Sequence, residues 1–218
     1  GPESMHMTDK TDLKERESRA IFQTYGRQDV LLVRGSKARV WDSEGKEYLD
    51  FVAGIAVNAL GYGDEEICTA IAEQAQKVIH TSNLYLTAPQ SQLAKLLVEH
   101  SFADKVFFCN SGAESVEAAI KFARKYAKVR SGPERYEIIA MSGAFHGRTM
   151  GTLSLAGKMG TKKHFGPVMP GIIHVPYPDP YRNPFGSASG DVSSQVLDFM
   201  DKCIYAQSTG SIAGLIIE

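Results

Sequence analysis

Over residues Phe107–Arg124 the chain reads F-F-C-N-S-G-A-E-S-V-E-A-A-I-K-F-A-R, and this stretch restricts the fold more than any other. A short apolar run, Val106-Phe107-Phe108, ends in Cys109-Asn110-Ser111-Gly112, and a helical pattern begins at once. From Ala113, apolar residues recur at Val116, Ala119, Ile120, Ala123 and Ala127, spacings of three and four that make one buried helix face. A strand, a tight glycine-containing turn and a helix start in succession present free backbone N–H groups at a positive dipole end, which suits an anion. Ser111 and Glu114 also fit an S-x-x-E capping box, in which side chains satisfy the orphan amides. The two readings are compatible, because a capped start still offers the amides of Gly112 and Ala113 to a ligand.

Upstream, residues 9–25 are charged and mildly periodic, which predicts a helix starting near Thr8 or Asp9 and stopping at Gly26. Three short runs follow, Val30–Val33, Ala38–Trp41 and Glu47–Phe51, separated by Gly35-Ser36-Lys37 and Asp42-Ser43-Glu44-Gly45. Strands of that length with such turns predict a small antiparallel meander without chemistry of its own. Residues 52–63 (VAGIAVNALGYG) are small and glycine-rich, so backbone can approach a ligand or a neighbour closely. Ile67–Ile79 reads as a helix, and another follows Pro89 with Leu93, Leu96 and Leu97 inward. His80 and His100 read as surface or helix-end histidines.

Downstream, Tyr136–Met141 is the next strand, leading into Ser142-Gly143-Ala144-Phe145-His146-Gly147-Arg148-Thr149. Two glycines there bracket an aromatic pair, at the strand edge where open α/β sheets bind ligands. Ile172–Val175 is a third strand, and the proline-rich Tyr177–Gly190 is an irregular loop. Asp191–Ala206 is helical, with Val192, Val196, Phe199 and Met200 on one face, and Ile212–Ile217 reads as a buried parallel strand. The alternation from Val106 onward predicts a mainly parallel sheet flanked by helices, with candidate site loops at 110–114 and 143–148. Neither loop is G-x-G-x-x-G or G-x-x-x-x-G-K-[ST], which disfavours a dinucleotide fold or a P-loop.

A formal net charge of -1, from 24 basic and 25 acidic residues, gives no footprint for nucleic acid or an anionic membrane. No apolar run approaches the ~18 residues of a membrane span. Cys68, Cys109 and Cys203 are widely spaced, odd in number and without a CxxC pattern, which points to a reducing compartment, no metal site and a cytoplasmic location. Gly1–Met7 resembles the scar of an expression tag. An apolar strand followed at once by Glu218 makes an unfinished edge, so the chain is expected to be truncated. The expected division is 1–7 tag remnant, 8–65 N-terminal part of a small domain, and 66–218 first part of a large domain.

Four segments, the opening stretch with G-A-F-H-G-R-T, Y-L-D-F-V-A-G-I-A-V-N-A-L-G and H-T-S-N-L-Y, together resemble the class III aminotransferases dependent on pyridoxal 5'-phosphate (PLP), the acetylornithine, ornithine and 4-aminobutyrate type. The resemblance runs from about Tyr25 to Glu218 and implies an incomplete PLP-dependent transferase fold of type I. It implies that Ser111, Gly112 and Ala113 bind the cofactor's 5'-phosphate. Phe145 resembles the aromatic stacked on the pyridine ring, with His146 beside it, and Glu218 resembles the glutamate of an E-P motif near the cofactor. Arg148 matches an arginine that binds a substrate carboxylate, and Ile55 an apolar residue lining the substrate pocket. No catalytic residue is assigned within this chain. The resemblance places the Schiff-base lysine downstream, and Lys121, Lys158, Lys162 and Lys163 lack its context.

The expected activity of the parent enzyme is transfer of an amino group from an ω-amino donor to a 2-oxo acid, by a homodimer, with the 218-residue chain inactive alone. The meander and G-I-A-V-N lean toward acetylornithine, whereas residues 166–184 lean toward 4-aminobutyrate. The alternatives are an amino-acid racemase of the same fold, a phosphometabolite-binding α/β protein without PLP, or a non-catalytic assembly module.

Overall fold

The structure is a computed structural model and describes residues 9–186 and 190–218. Gly1–Met7, the Thr8 helix start and part of the Tyr177–Gly190 loop lie outside the described residues. Contacts divide the chain into two compact units, one ending at Thr87 and the other spanning Ala88–Glu218.

In the first unit, α1 (Lys10–Ala20) starts at Asp9, whose carboxylate accepts from the Thr11 amide. It stops at Ala20, short of Gly26, and has no buried residue. The meander forms as expected: β1 (Leu32–Ser36), β2 (Arg39–Asp42) and β3 (Glu47–Leu49) pair antiparallel in chain order, with Val40 opposite Tyr48. β1 absorbs Gly35 and Ser36, which the pattern gave to a turn, because the reversal is made by Lys37 at a φ of 50°. The second turn is held by buried Asp42, which accepts from the amides of Glu44 (3.0 Å) and Lys46 (2.9 Å) and from the Tyr48 hydroxyl (2.8 Å).

The glycine-rich segment then makes a feature that sequence did not indicate. In α2 (Ala53–Ala56) four successive φ values are positive, 47°, 64°, 65° and 63°. This is a single left-handed turn, closed by the Val57 amide donating to the Ala53 carbonyl at 3.0 Å and by the Asp50 carboxylate accepting from the amides of Val52 and Ala53. Left-handed backbone costs a side-chain-bearing residue roughly 1–2 kcal/mol, and Ile55 is β-branched as well. α3 (Glu65–Ala75) follows, capped by Asp64.

The second unit begins with α4 (Ala88–Glu99) and continues through α5 (Gly112–Ser131), β4 (Glu137–Met141), α6 (Met150–Leu155), α7 (Met159–Lys162), β5 (Ile172–Val175), α8 (Val192–Gln207) and β6 (Ile212–Ile216). The strand order is β5-β4-β6, with both pairings parallel. All five residues of central β4 are buried. Its alternating side chains feed two cores. Ile139 and Met141 pack with Ile173, Val175 and Cys203 beneath α8, while Ile138 and Ala140 pack with Ile120 and Leu155 beneath α5 and α6. Helices on both faces of a parallel sheet make the expected α/β layering.

β4 is fastened at its start by Glu137, only 3% exposed. Its carboxylate accepts from the Thr209 amide (2.9 Å) and hydroxyl (3.2 Å), the Ser211 amide (3.2 Å) and the Ser208 hydroxyl. The loop between α8 and β6 is thereby tied to the central strand.

Two expectations fail in this unit. Val106–Phe108 does not form a strand, because the run has no ladder partner among the described residues and extended backbone becomes a strand only by pairing. Phe107 is instead 60% exposed and packs edge-to-face on Phe122, with ring centroids 5.6 Å apart. The inward face expected of α4 is uncovered: Leu93, Leu96 and Leu97 are all exposed.

Candidate functional site

α5 is the longest helix, at 20 residues, and its start has the expected cap with one difference. The Ser111 hydroxyl accepts from the Glu114 amide at 3.1 Å, as a capping box requires. The Glu114 carboxylate reaches one residue further back than usual and accepts from the Asn110 amide at 2.8 Å. That reach fixes the turn before the helix, while the amides of Gly112 and Ala113 open the first turn, where no intrahelical acceptor exists. Space above Gly112 is open, since a Cβ placed there would meet nothing within 4 Å. The positive end of a 20-residue helix thus faces an accessible turn.

The second loop leaves the C-terminal end of β4. Gly143 (φ 86°) and Gly147 (φ 124°) make the turns that only glycine adopts without strain, and between them Ala144 and His146 point inward while Phe145 stays half exposed. Gly147 is also the point of contact with α5. A Cβ on it would lie 2.9 Å from the Ala113 Cβ and 2.7 Å from the Thr152 hydroxyl. The structure therefore brings the loop of Phe145, His146 and Arg148 against the first turn of α5, where Ser111, Gly112 and Ala113 sit.

Glu218 joins them. β6 runs parallel to β4, so the residues following both strands emerge at the same sheet edge. The Phe145 amide donates to the Glu218 carboxylate. His146 is only 7% exposed, and its Nε2 has no hydrogen-bond partner among the described residues. Burial pushes its pKa down from the usual imidazole value, with the Glu218 charge pulling the other way. A neutral imidazole with a buried nitrogen that has no partner among the described residues leaves a polar position for a ligand or an ordered water.

Arg148 follows Gly147 and is exposed. Ile55, the remaining expected site residue, lies in the first unit on the left-handed turn α2, 86% exposed.

Three residues that sequence reasoning did not single out hold this arrangement. α6 begins after Thr149, whose own hydroxyl does not cap it. The cap comes from Glu117 on the second turn of α5: its Oε1 accepts from the Thr152 amide at 3.2 Å and from the Thr149 hydroxyl at 2.5 Å. The Thr149 and Thr152 hydroxyls are a further 2.8 Å apart. No sequence signal indicated this, because Thr149 is itself a favoured cap residue.

The residues fit a phosphorylated aromatic ligand: an open helix start for the phosphate, an exposed ring on the loop that packs against that start, and a buried imidazole whose Nε2 has no partner among the described residues. Among the described residues no group of histidine, cysteine and acidic side chains could hold a metal ion.

Comparison with known proteins shows the family. The family described as Aminotransferase class-III matches residues 22–218. An acetylornithine aminotransferase of Caldanaerobacter subterraneus is 50% identical over 163 residues, 75% of this chain and 42% of that protein. One from Methanocaldococcus jannaschii is 51% identical over 163 residues, again 75% of this chain and 41% of that protein. Among solved structures, an (S)-enantioselective omega-transaminase from Thermomicrobium roseum superposes with a TM-score of 0.83 at 31% identity, covering 93% of this chain and 47% of that one. A taurine:2-oxoglutarate aminotransferase from Bifidobacterium kashiwanohense, solved with PLP and glutamate, gives 0.81 at 28% identity over 95% and 47%. The chain thus spans about two fifths of the length of these curated relatives.

Proposed function

Because the chain belongs to the class III aminotransferase family, we propose that it is the N-terminal part of a PLP-dependent aminotransferase that moves an amino group from an ω-amino donor to a 2-oxo acid. The observation that supports this reading is the close approach of Gly147 to Ala113, which packs the loop carrying Phe145 and Arg148 against the α5 start. Acetylornithine is the favoured donor, since relatives about 50% identical bear that name. Ornithine and 4-aminobutyrate are the competitors to assay beside it. A homodimeric, cytoplasmic enzyme belongs to the same reading. Its support is the family, three free cysteines, and the lack of a helix long and apolar enough to cross a membrane among the described residues.

Each residue has a physical task. The amides of Gly112 and Ala113, with the Ser111 hydroxyl, hold the 5'-phosphate, where charge-assisted hydrogen bonds and the helix dipole act together. Phe145 supports one face of the pyridine ring, a contact worth about 1 kcal/mol beyond its burial. His146, kept neutral by burial, presents a ring nitrogen without adding charge beside the cofactor. Glu218 fixes the Phe145 backbone through its amide and so sets the height of the ring platform. Arg148 orients a substrate carboxylate through its planar fork, a task a lysine performs less specifically. Ile55 offers apolar surface to the donor's chain. When bound, PLP supplies the electron sink that stabilises negative charge at the carbon bearing the amino group. The residues of this chain bind and orient, and the lysine that completes the site is assigned to the remainder of the full-length protein.

The test is titration of the full-length protein with PLP and with pyridoxal, which lacks the phosphate. PLP should bind tighter by about tenfold or more, the equivalent of one or two charge-assisted hydrogen bonds. Equal affinity for the two would sink the assignment of the α5 turn.

A further inference from the structure

We infer that Glu117 is a positioning residue: from the second turn of α5 it holds the Phe145–Arg148 loop in register with the phosphate turn on the first. The inference rests on the cofactor reading above and adds to it a residue that touches neither cofactor nor substrate in that reading.

The geometry is specific. The loop's far end is the start of α6, and the amide of Thr152 there would lack a cap, since Thr149 does not supply one. Glu117 Oε1 takes both the Thr152 amide (3.2 Å) and the Thr149 hydroxyl (2.5 Å), so one oxygen on α5 closes the end of the loop. The nearer end is set by Gly147 against Ala113 on the same helix. Two points of attachment one turn apart on α5 fix both the distance and the rotation of the loop relative to Ser111–Ala113. One alone would leave it free to pivot.

Gly151 shows how tightly the second point is fitted. A Cβ there would lie 2.4 Å from Glu117 Oε2 and 2.5 Å from Oε1. Alanine is otherwise the better residue inside a helix. A harmful Gly151→Ala substitution therefore reports displacement of the Glu117 carboxylate rather than a weakened α6. Both accepted hydrogen bonds use Oε1, so glutamine at 117 can keep them and alanine cannot.

The experiment uses the full-length protein and four variants: Glu117→Ala, Glu117→Gln, Gly151→Ala and, as the control on the cofactor reading, Phe145→Ala. PLP affinity is measured by titration, and ring orientation by the circular dichroism that the bound cofactor acquires in its own absorption band. Far-UV circular dichroism checks folding. Glu117→Ala and Gly151→Ala should each weaken PLP about fivefold, equivalent to ~1 kcal/mol or one ring-stacking contact, and lose most of the induced signal. Glu117→Gln should stay within about twofold of the parent in both.

If Phe145→Ala loses cofactor while Glu117→Ala binds with the parent's affinity and signal, the inference is wrong and the cofactor reading stands. If Phe145→Ala changes nothing either, the reading itself falls, and the inference with it. Should Glu117→Ala fail to fold, Gly151→Ala against Glu117→Gln decides: equal behaviour of those two overturns the inference.

Discussion

Replacing Glu137 with glutamine tests whether a buried carboxylate fastens the sheet. Its two oxygens accept four hydrogen bonds from Ser208, Thr209 and Ser211, in a side chain that is 3% exposed. Glutamine keeps one acceptor oxygen. Its amide nitrogen must then face one backbone N–H, of Thr209 or Ser211, and one hydroxyl, of Thr209 or Ser208, that can no longer donate to it. Two hydrogen bonds to a charged group at about 1.5 kcal/mol each give a loss of ~3 kcal/mol. For a chain of this size that lowers the thermal midpoint by roughly 6–12 °C.

The assay is urea unfolding, with hydrogen exchange at the Thr209 and Ser211 amides as the local readout. The midpoint should fall with an unchanged denaturant slope, and those two amides should lose protection first. The pH dependence carries a sign. Burial raises the pKa of Glu137, but the hydrogen bonds from Ser208, Thr209 and Ser211 together outweigh it and hold the group below its ordinary value. Its stabilisation is therefore complete above the unfolded carboxyl pKa, near 4.3, and is lost as pH falls through the lower folded value. The gap between parent and Glu137→Gln should be constant at neutral pH and shrink in acid. An unchanged midpoint at pH 7, or a gap that widens in acid, would refute the reasoning.

Other expectations are open to similar tests. His146 has a folded pKa below its unfolded value of about 6.5, so the fold should be at full strength above that pH and weaken as pH falls. Thermal melts between pH 8 and 5 should show this slope flattened in His146→Asn. Gly147→Ala forces a side chain into φ 124° and against Ala113, and should cost about 2 kcal/mol or more in urea unfolding while weakening PLP. Arg148→Ala in the full-length enzyme should raise the KM of the carboxylate substrate about tenfold or more, with PLP affinity little changed. A KM equal to the parent's would remove the arginine from substrate binding.

The parallel unit was legible because local and global signals coincide there. β4 is buried throughout and apolar from Ile138 to Met141, and the α5 periodicity matches the side chains that pack on it, apart from exposed Ala119. The capped helix start could be read for the same reason, since capping needs only residues three apart. What could not be read depends on tertiary partners. Val106–Phe108 has a strand's composition and lacks a ladder. Glu117 looks like any solvated helix glutamate until the fold sets Thr152 above it. α2 is hidden for a different reason: among its residues only Gly54 advertises positive φ, and three of its four left-handed positions carry side chains.

That left-handed turn bears on how the protein could be improved. At Ile55 the backbone costs roughly 1–2 kcal/mol that glycine would relieve, offset by about 0.5–1 kcal/mol of extra unfolded-chain entropy. Glycine there should be neutral to mildly stabilising, and the 86% exposed side chain contributes little burial to set against it. Selection for heat resistance alone would therefore drift toward Ile55→Gly and discard the apolar surface that the proposed function gives to the donor's chain. A library screened by melting temperature needs turnover measured beside it at this position, because under that proposal the two criteria rank the same substitution in opposite order.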